Sequence, residues 1–392
     1  MTDPIQLKSA LQKELLQNIL PYWMQKMPDN RNGGFYGRID GNEVIHLKAN
    51  KGAILNARLL WTFAAAYRMF RNPEYLKMAE RAYRYLCDIF LDKTYGGVYW
   101  EVDYLGNPVN TKKQTYAQGF ALYGISEFYR ATGSTEALEL AVSFFRLIEK
   151  HACDPLYGGY LEAFSRDWNL IEDMRLSSKD ANEKKSMNTH LHILEPYTNL
   201  YRIWRDPELE AAQRKLIRIF TDNILNAETS HLNLFFDEQW NPKSTGISFG
   251  HDIEAAWLLN EAAEILEDPS LQRIVQSVSF KIVDAALQGL QPDGSMIYET
   301  RGSHYDMERH WWVQAETVVG LFHAFRNSGN QRYLAKAEAC WRYIYERMID
   351  RVNGEWFWSV DSNGIPNREE DKAGFWKCPY HNARMCMEIN LY

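Results

Sequence analysis

Two kinds of helical segment alternate along the chain. One kind is apolar or small on most faces, as in AILNARLLWTFAAAYRMF (53–70) and TYAQGFALYGISEFYRAT (115–132). The other carries a charged stripe, as in PEYLKMAERAYRYLCDIFLD (73–92), where Asn72 is suited to the N-cap and Pro73 to the first helical position. A helix that is apolar all round is buried, whereas a striped helix covers a core from outside. The pattern therefore predicts alternating inner and outer helices.

The pairing of inner and outer helices continues to both ends of the chain. The apolar segment at 115–132 pairs with the striped segment at 134–152. Further pairs span residues 188–225, 251–287 and 311–349. The segment at 6–24 has the stripe of an outer helix, and the segment at 380–392 resembles an inner one, so the two ends form a sixth pair. Six helical hairpins closed in this way predict an all-α (α/α)6 barrel of six inner and six outer helices, as a single domain over residues 1–392. An open α-solenoid is the alternative, but it would need polar capping repeats at both ends.

Stretches of small residues followed by alternating aromatic residues separate the helical pairs. They recur at intervals of roughly 60 residues, the third stretching to about 74, a length suited to two helices plus a hairpin-like loop. The alternation predicts a short strand in each stretch, so we expect short β-hairpin loops between the helices. The six signatures are NGGFYGRI from Asn32, YGGVYWEV from Tyr95, YGGYLEAF from Tyr157, LNLFFDEQW from Leu232, DGSMIYET from Asp293 and NGEWFWSV from Asn353.

Composition narrows the class of partner. The net charge is −7 and no dense Lys/Arg block is present, which argues against nucleic acid or an anionic membrane as a partner. We find neither a secretory signal nor a transmembrane span and therefore expect a cytoplasmic protein. Aromatic residues make up 14% of the chain, including 13 Trp and 23 Tyr, which suits a cleft that stacks sugars. The expected partner is a small neutral molecule, and the oligomeric state stays open between monomer and weak dimer.

Polar residues gather at the beginnings of the predicted inner helices. In a closed ring these beginnings meet around one end of the barrel, so residues distant in sequence converge there. Histidines, an arginine and carboxylates without a nucleotide-binding loop suit proton transfer at a carbon beside a carbonyl. The candidates are Arg58, Tyr116, Asn188, His192, His251, Glu254, Trp312, Glu316 and His381, with Trp376 just before the last helix.

Individual candidates also have structural interpretations. Glu254 stands one helical turn after His251 and is predicted to orient that ring, but it also suits the helix dipole as a charge in the first turn. Asn188 and His192 share a helix face at i, i+4. Trp312 and Trp376 are either cleft residues or core fillers.

Cys378, His381 and Cys386 stand within nine residues near the end of the chain. A zinc site would need further ligands and commonly a paired spacing such as C-x2-C. The other cysteines lie far away in the sequence, and five scattered cysteines are typical of reduced thiols. We therefore predict no metal site and interpret the two cysteines as small packing residues.

Several stretches resemble a known family. WKCPYHNARMCMEI, SFGHDIEAAWLL, WWVQAETVVG, MNTHLHILEPY and YGGVYW are similar to the N-acylglucosamine 2-epimerase superfamily, and more narrowly to its cellobiose 2-epimerases. The resemblance implies the (α/α)6 barrel and an activity without metal, nucleotide or other cofactor. That activity is reversible inversion at C2 of the reducing-end glucose of a β-1,4-linked disaccharide, through a cis-enediolate. Cellobiose would give glucosylmannose, and lactose would give epilactose.

The resemblance also implies roles for the candidates. His381 and His251 would be the acid/base pair on opposite faces of C2, and Arg58 would hold the oxyanion. His192, Tyr116 and Asn188 would assist ring opening and positioning, while Glu254 would support His251. The two sugar units would stack on Trp312 and Trp376, and Trp257 and Glu316 would be further cleft residues.

Other activities remain open at this stage. N-acylglucosamine 2-epimerisation and aldose–ketose isomerisation of mannose would use the same barrel and histidines, and would differ in ligand-contact loops such as 171–187. A glycoside hydrolase would need two carboxylates flanking the bond, for which Asp252, Glu254, Asp306 and Glu316 are candidates. The histidines would then be unexplained. A non-catalytic sugar-binding protein would not need paired bases.

Overall fold

A closed ring of inner helices forms the centre of the molecule, in a computed structural model that describes residues 4–392. Each inner helix packs against the next one along the chain, and the last packs against the first. The (α/α)6 barrel is thereby confirmed. The inner helices are α3 (Ala53–Phe70), α5 (Thr115–Thr132), α7 (Met187–Tyr201), α9 (Phe249–Ile265), α11 (Trp311–Ser328) and α13 (Tyr380–Leu391).

The outer helices cover this ring. The first outer segment consists of α1 and α2, separated by a π-helical turn, and α1 packs on α13 as the predicted sixth pair. Asn72 caps α4, since its side chain accepts a hydrogen bond from Glu74 N, and Pro73 occupies the first turn. The outer helices are α1 (Pro4–Glu14), α2 (Leu20–Lys26), α4 (Pro73–Tyr85), α6 (Thr135–His151), α8 (Pro207–Ile219), α10 (Pro269–Ala286) and α12 (Gln331–Tyr343).

π-helical turns within or at the ends of outer helices were not predicted. Three of them end the outer helices α4, α8 and α12, and after each the chain turns into extended backbone. The hydrophobic pattern does not reveal them because a single five-residue turn barely changes the helical period. The turns are Leu15–Ile19, Leu86–Phe90, Phe220–Ile224 and Ile344–Met348.

Short antiparallel strands join the starts of five of the six inner helices to the signature that follows the next outer helix. Five inner helices are directly preceded by a strand of two residues, in the pairs β1·β2, β4·β5, β6·β7, β8·β9 and β11·β12. The inner-helix starts are thus held at one rim of the barrel. The strands are β1 (Lys51–Gly52), β2 (Glu101–Val102), β3 (Pro108–Asn110), β4 (Lys113–Gln114), β5 (Ala163–Phe164), β6 (Lys185–Ser186), β7 (Phe235–Phe236), β8 (Ile247–Ser248), β9 (Glu299–Arg301), β10 (His304–Asp306), β11 (Arg309–His310) and β12 (Ser359–Val360).

The fourth residue of several inner helices binds the backbone of a neighbouring signature. Gln118 accepts from Val98 N at 2.7 Å and donates to Val98 O at 3.0 Å. Gln314 does the same to Met296, at 2.8 and 2.7 Å. His190 takes this place in α7, where its Nε2 accepts from Tyr160 N at 2.9 Å. His190 is therefore a structural residue, although it stands two residues from the candidate His192.

Buried lysine–aspartate pairs repeat beneath the rim. Lys51 donates to Asp29 at 2.8 Å, and both side chains are almost completely buried. Such pairs hold the helix starts to the turns of the signatures, because each aspartate also accepts hydrogen bonds from backbone N–H groups of its turn. The other pairs are Lys113–Asp92, Lys185–Asp154 and Lys372–Asp350.

No helix within residues 4–392 has both the length and the apolar character that crossing a membrane requires.

Candidate active site

The sixth residue of several inner helices points to a common polar centre. Arg58, His192, Glu254 and Glu316 occupy this position in α3, α7, α9 and α11. All four are buried, so the barrel interior is polar at this level. Their shared depth follows from the common start of the helices at one rim.

His381, the second residue of α13, is oriented by Glu316. Its Nδ1 lies 2.7 Å from Glu316 Oε1, and the other oxygen of Glu316 accepts a hydrogen bond from Trp257 Nε1 at 3.0 Å. A carboxylate partner at Nδ1 fixes the proton there and leaves the lone pair on Nε2. Glu316 therefore positions His381. The family resemblance had implied instead that Glu316 is a residue of the cleft.

Arg384 connects the carboxyl groups behind the histidines. Its Nη2 donates to Glu254 Oε1 and to Glu316 Oε1, both at 2.6 Å. Its Nη1 donates to Glu195 and to Tyr380 Oη. Glu195 in turn lies 3.0 Å from His192 Nδ1. One guanidinium thus holds the partners of two histidines.

Sequence reasoning missed Arg384 and Glu195. Each stands three residues after a candidate histidine on the same helix, in a stretch that is otherwise mostly apolar. A charged residue at i+3 from a histidine lies on the same helix face. A charged residue three positions after a candidate histidine, in an inner helix, could therefore have identified both Arg384 and Glu195.

Burial and mutual repulsion set the charges of the three carboxyl groups. Burial, and then repulsion from Glu316, raise the pKa of Glu254 well above its usual value despite Arg384. Burial also raises the pKa of Glu316, against the effect of Arg384. At Glu195 burial is outweighed by Arg384 and His192, and the pKa falls to about 2. Burial thus favours the protonated form at Glu254 and Glu316, whereas Arg384 and His192 favour the carboxylate at Glu195.

The prediction that Glu254 orients His251 is wrong. His251 Nδ1 lies 2.7 Å from Ser248 Oγ, whereas Glu254 binds Arg384 and lies 3.8 Å from His381 Nδ1. The reason is geometric, since positions three apart point in directions that differ by about 60° around a helix. Glu254 points to the barrel axis, and His251 remains at the rim.

All three candidate histidines favour the neutral imidazole. Burial, and then repulsion from His192, lower the pKa of His251 to about 3. Burial, and then Arg58 and Arg384, lower the pKa of His381 well below its usual value. Burial also lowers the pKa of His192, although Glu195 opposes it. Each ring is held through Nδ1, so each can offer Nε2 as a base.

Arg58 is a buried cation without a carboxylate partner. It is 3% exposed, and among residues 4–392 no carboxylate oxygen lies within 4.0 Å of it. Its Nη2 donates to Tyr116 Oη at 2.7 Å, its Nη1 lies 3.9 Å from Cys378 Sγ, and its Nε has no hydrogen-bond partner in this part of the chain. An unpaired buried charge is costly, so this position is suited to an anion that forms during a reaction.

Aromatic side chains link these groups. The indole of Trp312 contacts both candidate bases, with ring centroids 4.7 Å from His251 and 5.7 Å from His381. Trp376 is partly buried and lies 6.2 Å from the ring of Tyr116, which itself lies 5.0 Å from His192. These predicted residues are therefore brought together.

Trp257 is not a cleft residue. Its side chain is 1% exposed, donates to Glu316 and stacks on His323 with ring centroids 5.1 Å apart. It lies behind the catalytic candidates, where it fixes the carboxylate that orients His381.

A cavity of about 770 Å³ opens at the rim beside this cluster. His251 and Asn188 line it, and the amide oxygen of Asn188 is buried without a hydrogen-bond partner among the described residues. Part of the loop predicted to contact ligand, from Met174 to Met187, forms one wall. Tyr298 and Trp358, which sequence reasoning did not single out, add aromatic surface.

Metal-ligand spacing occurs in one group within residues 4–392. Glu254, Glu316 and His381 place ligand atoms within 4.8 Å of one another. Arg384 already donates to both carboxyl groups, so a guanidinium supplies the positive charge there. Cys378 contacts Arg58 instead and belongs to no such group.

Comparison with known proteins identifies the family. A family model described as N-acylglucosamine 2-epimerase (GlcNAc 2-epimerase) matches residues 34–384. The chain is 58% identical to a cellobiose 2-epimerase of Bacteroides fragilis and 38% identical to one of Dictyoglomus turgidum, over 98% of both chains in each case. The solved cellobiose 2-epimerase of Bacillus thermoamylovorans superimposes with a TM-score of 0.94 at 39% identity, over 99% of this chain and 100% of that one. The chain therefore belongs to the N-acylglucosamine 2-epimerase family and is a carbohydrate epimerase, an isomerase.

Proposed function

We propose that the enzyme reversibly epimerises the reducing-end glucose of β-1,4-linked disaccharides at C2, converting cellobiose to glucosylmannose and lactose to epilactose. The observation that carries this proposal is the pairing of two neutral imidazoles, anchored through Nδ1 and sharing one indole, with a buried arginine that has no carboxylate partner in the described part of the chain. The 58% identity to a cellobiose 2-epimerase supports the substrate class.

The reaction begins with ring opening, assisted by His192, Tyr116 and Asn188. One of the two bases, His251 or His381, then removes the C2 proton through Nε2, and the electron pair moves toward the carbonyl oxygen to give a cis-enediolate. Arg58 stabilises the oxyanion, because no carboxylate of residues 4–392 neutralises its positive charge. Rotation about C2–C3 presents the other face, and the second histidine returns a proton.

Positioning residues keep both bases in the required form. Glu316 holds the proton of His381 on Nδ1, and Ser248 Oγ accepts a hydrogen bond from Nδ1–H of His251 in the tautomer that the reaction requires. Each imidazole therefore has Nε2 available for the substrate, and the lowered pKa values keep both bases unprotonated near neutrality.

Two-base chemistry makes a specific isotope prediction. Incubation with cellobiose in heavy water should give glucosylmannose labelled at C2. Of the single variants His381→Asn and His251→Asn, only the one that keeps the base facing C2–H of the glucose unit should exchange this proton with cellobiose, without inversion. The other single variant should exchange the C2 proton of glucosylmannose instead. Inversion that persists in the double variant would refute the assignment of both bases.

The same incubation separates the alternatives. Accumulation of a fructosyl product as the end point would indicate an aldose–ketose isomerase, and free glucose would indicate a hydrolase. Three of the four candidate hydrolase carboxylates have internal partners: Asp252 binds His231 and Leu232 N, while Glu254 and Glu316 bind Arg384. Asp306 alone of the four lines the cavity, whereas a hydrolase needs two carboxylates at the bond. His190→Gln is a suitable control variant, because it changes a buried histidine of α7 that only binds backbone.

A further inference from the structure

A carboxyl group faces the cavity at a position where four of the other five hairpins carry apolar or aromatic side chains. In the first signature the position two residues after the bridge residue is Gly37, and in the other five it is Trp100, Glu162, Leu234, Tyr298 and Trp358. The last four line the cavity, and only Glu162 among them is ionisable to a carboxylate.

The backbone holds this position in the same way in different repeats. The carbonyl oxygen of Glu162 accepts a hydrogen bond from Thr115 N at 2.9 Å, as that of Leu234 does from Met187 N and that of Trp358 from Trp311 N. The repeat therefore places the Glu162 side chain where its counterparts form the cavity wall.

One oxygen of Glu162 has an internal partner and the other does not. The side chain is 5% exposed, Oε2 accepts a hydrogen bond from Thr189 Oγ1 at 2.6 Å, and Oε1 has no hydrogen-bond partner within residues 4–392. Nor does any Lys, Arg or His nitrogen of that region lie within 4.0 Å of the carboxyl group. Asn188, beside Thr189, adds a second buried oxygen without a partner at the same cavity. Buried oxygens in such a wall are suited to a polar ligand atom.

The state of Glu162 indicates what kind of ligand atom it would meet. Burial raises the pKa of Glu162 to about 8, against the effect of Thr189 and Ser186. The carboxyl group is therefore largely protonated near neutrality, and a protonated carboxyl both donates and accepts hydrogen bonds. A neutral group of this kind matches a hydroxyl group better than a cation or a phosphate.

We propose that Glu162, with Asn188, binds a hydroxyl group of the disaccharide in the cavity and determines specificity for sugars that carry it. This inference rests on the proposed function. Glu162 acts as a binding residue and not as a base, since the proton transfers are carried by the histidines. A sugar without the hydroxyl would leave Oε1 buried and unpaired, and such mismatches are strongly discriminated.

Binding calorimetry with cellobiose tests the proposal. The measurements use the His381→Asn background, in which the ligand is not inverted, and compare it with the same protein carrying Glu162→Leu. We expect affinity to fall at least about tenfold, the loss typical of one buried hydrogen bond to a substrate. Glu136→Leu is the control, since it removes an exposed carboxyl group of α6 that does not line the cavity, and its affinity should change less than about twofold.

The outcomes separate this inference from the proposed function. Equal affinity in the presence and absence of Glu162 would overturn the inference alone. Absence of cellobiose binding in the His381→Asn background and in the unmodified enzyme would overturn the proposed function and the inference with it.

A second variant guards against loss of folding. Glu162→Gln keeps the volume and an acceptor for Thr189, so it should fold even where leucine does not. Its relative affinities for a series of monodeoxy-cellobioses should differ from those of the unmodified chain at one hydroxyl position, by at least about threefold, because the amide changes the donor and acceptor pattern there. An unchanged profile at every position would contradict the proposal.

Discussion

Replacing Glu316 with glutamine tests the network that orients His381. Both oxygens of Glu316 accept hydrogen bonds: Oε1 from Arg384 and His381, and Oε2 from Trp257. A glutamine must place its NH2 group against one of these donors. An NH2 group placed against the charged guanidinium would be repelled more strongly than one placed against the indole N–H. We therefore expect the NH2 group to face Trp257 and the carbonyl oxygen to remain toward Arg384.

This orientation of the glutamine side chain should lower both the stability of the fold and kcat. The Trp257 N–H would be left unpaired in a buried site opposite another donor, which costs about 1–3 kcal/mol. His381 would keep its proton on Nδ1, but the imidazolium formed during turnover would lose its carboxylate partner. Losing such a partner lowers an imidazole pKa by about one unit or more, so we expect kcat to fall at least about tenfold.

A double-mutant cycle isolates the donor conflict. Free energies of unfolding in urea, followed by the helical circular dichroism signal, would be measured for Glu316→Gln, Trp257→Phe and the double variant. Phenylalanine removes the N–H, so the two substitutions together should be less destabilising than the sum of the single effects, by about 1–3 kcal/mol. Additivity within about 0.5 kcal/mol would refute the orientation assigned to the amide.

Three further predictions concern the rim, the acid stability and the pH profile. Lys51→Met should destabilise the fold by about 3–5 kcal/mol, because Asp29 is left buried without its cation. The control Lys77→Met removes the cation of an exposed pair and should cost under about 1 kcal/mol. Similar urea midpoints of unfolding for the two variants would contradict this prediction. Burial lowers the pKa of His190 from the usual 6.5 to about 3, so the unfolded chain binds more protons than the folded one between these two pH values. The free energy of unfolding therefore decreases as the pH is lowered below 6.5. His190→Gln, which places in α7 the residue found in α5 and α11, should therefore retain activity and lose less stability on acidification, by about 1.4 kcal/mol per pH unit below 6.5; an unchanged pH dependence of unfolding would contradict it. Because burial lowers the pKa of His251 to about 3, kcat/KM should vary little between about pH 5 and about pH 7, and a fall centred near 6.5 would show that the base titrates normally.

The barrel was predictable from the sequence because the two helical patterns repeat and the chain ends complement each other. The inner helices begin and end close to the predicted positions, since their apolar faces and flanking caps are local signals. The π-helical turns escaped because a five-residue turn leaves no periodic trace. Convergence of Arg58 and the three histidines was likewise predictable, because all four lie in the first turns of inner helices that start at one rim.

The partners of the histidines could not be assigned in the same way. Glu254 is near His251 in sequence, but the helix turns its side chain toward α13, where Arg384 binds it. The partner of His381 comes from α11, 65 residues earlier in the chain. Such contacts depend on how neighbouring inner helices face one another, which sequence periodicity along a single helix does not specify. The cleft role of Trp257 was implied by the family resemblance, which does not show which way the side chain faces.

Arg384 also makes closure of the ring electrostatically favourable. Glu195, Glu254 and Glu316 come from α7, α9 and α11, and all three turn toward one guanidinium on α13. A partly assembled barrel that lacked α13 would bring these acids together without a counter-charge, which would favour its reopening. Docking of the last inner helix removes that repulsion and introduces His381 in the same step. Folding of the barrel and assembly of its proton-transfer centre are thus expected to be one cooperative event.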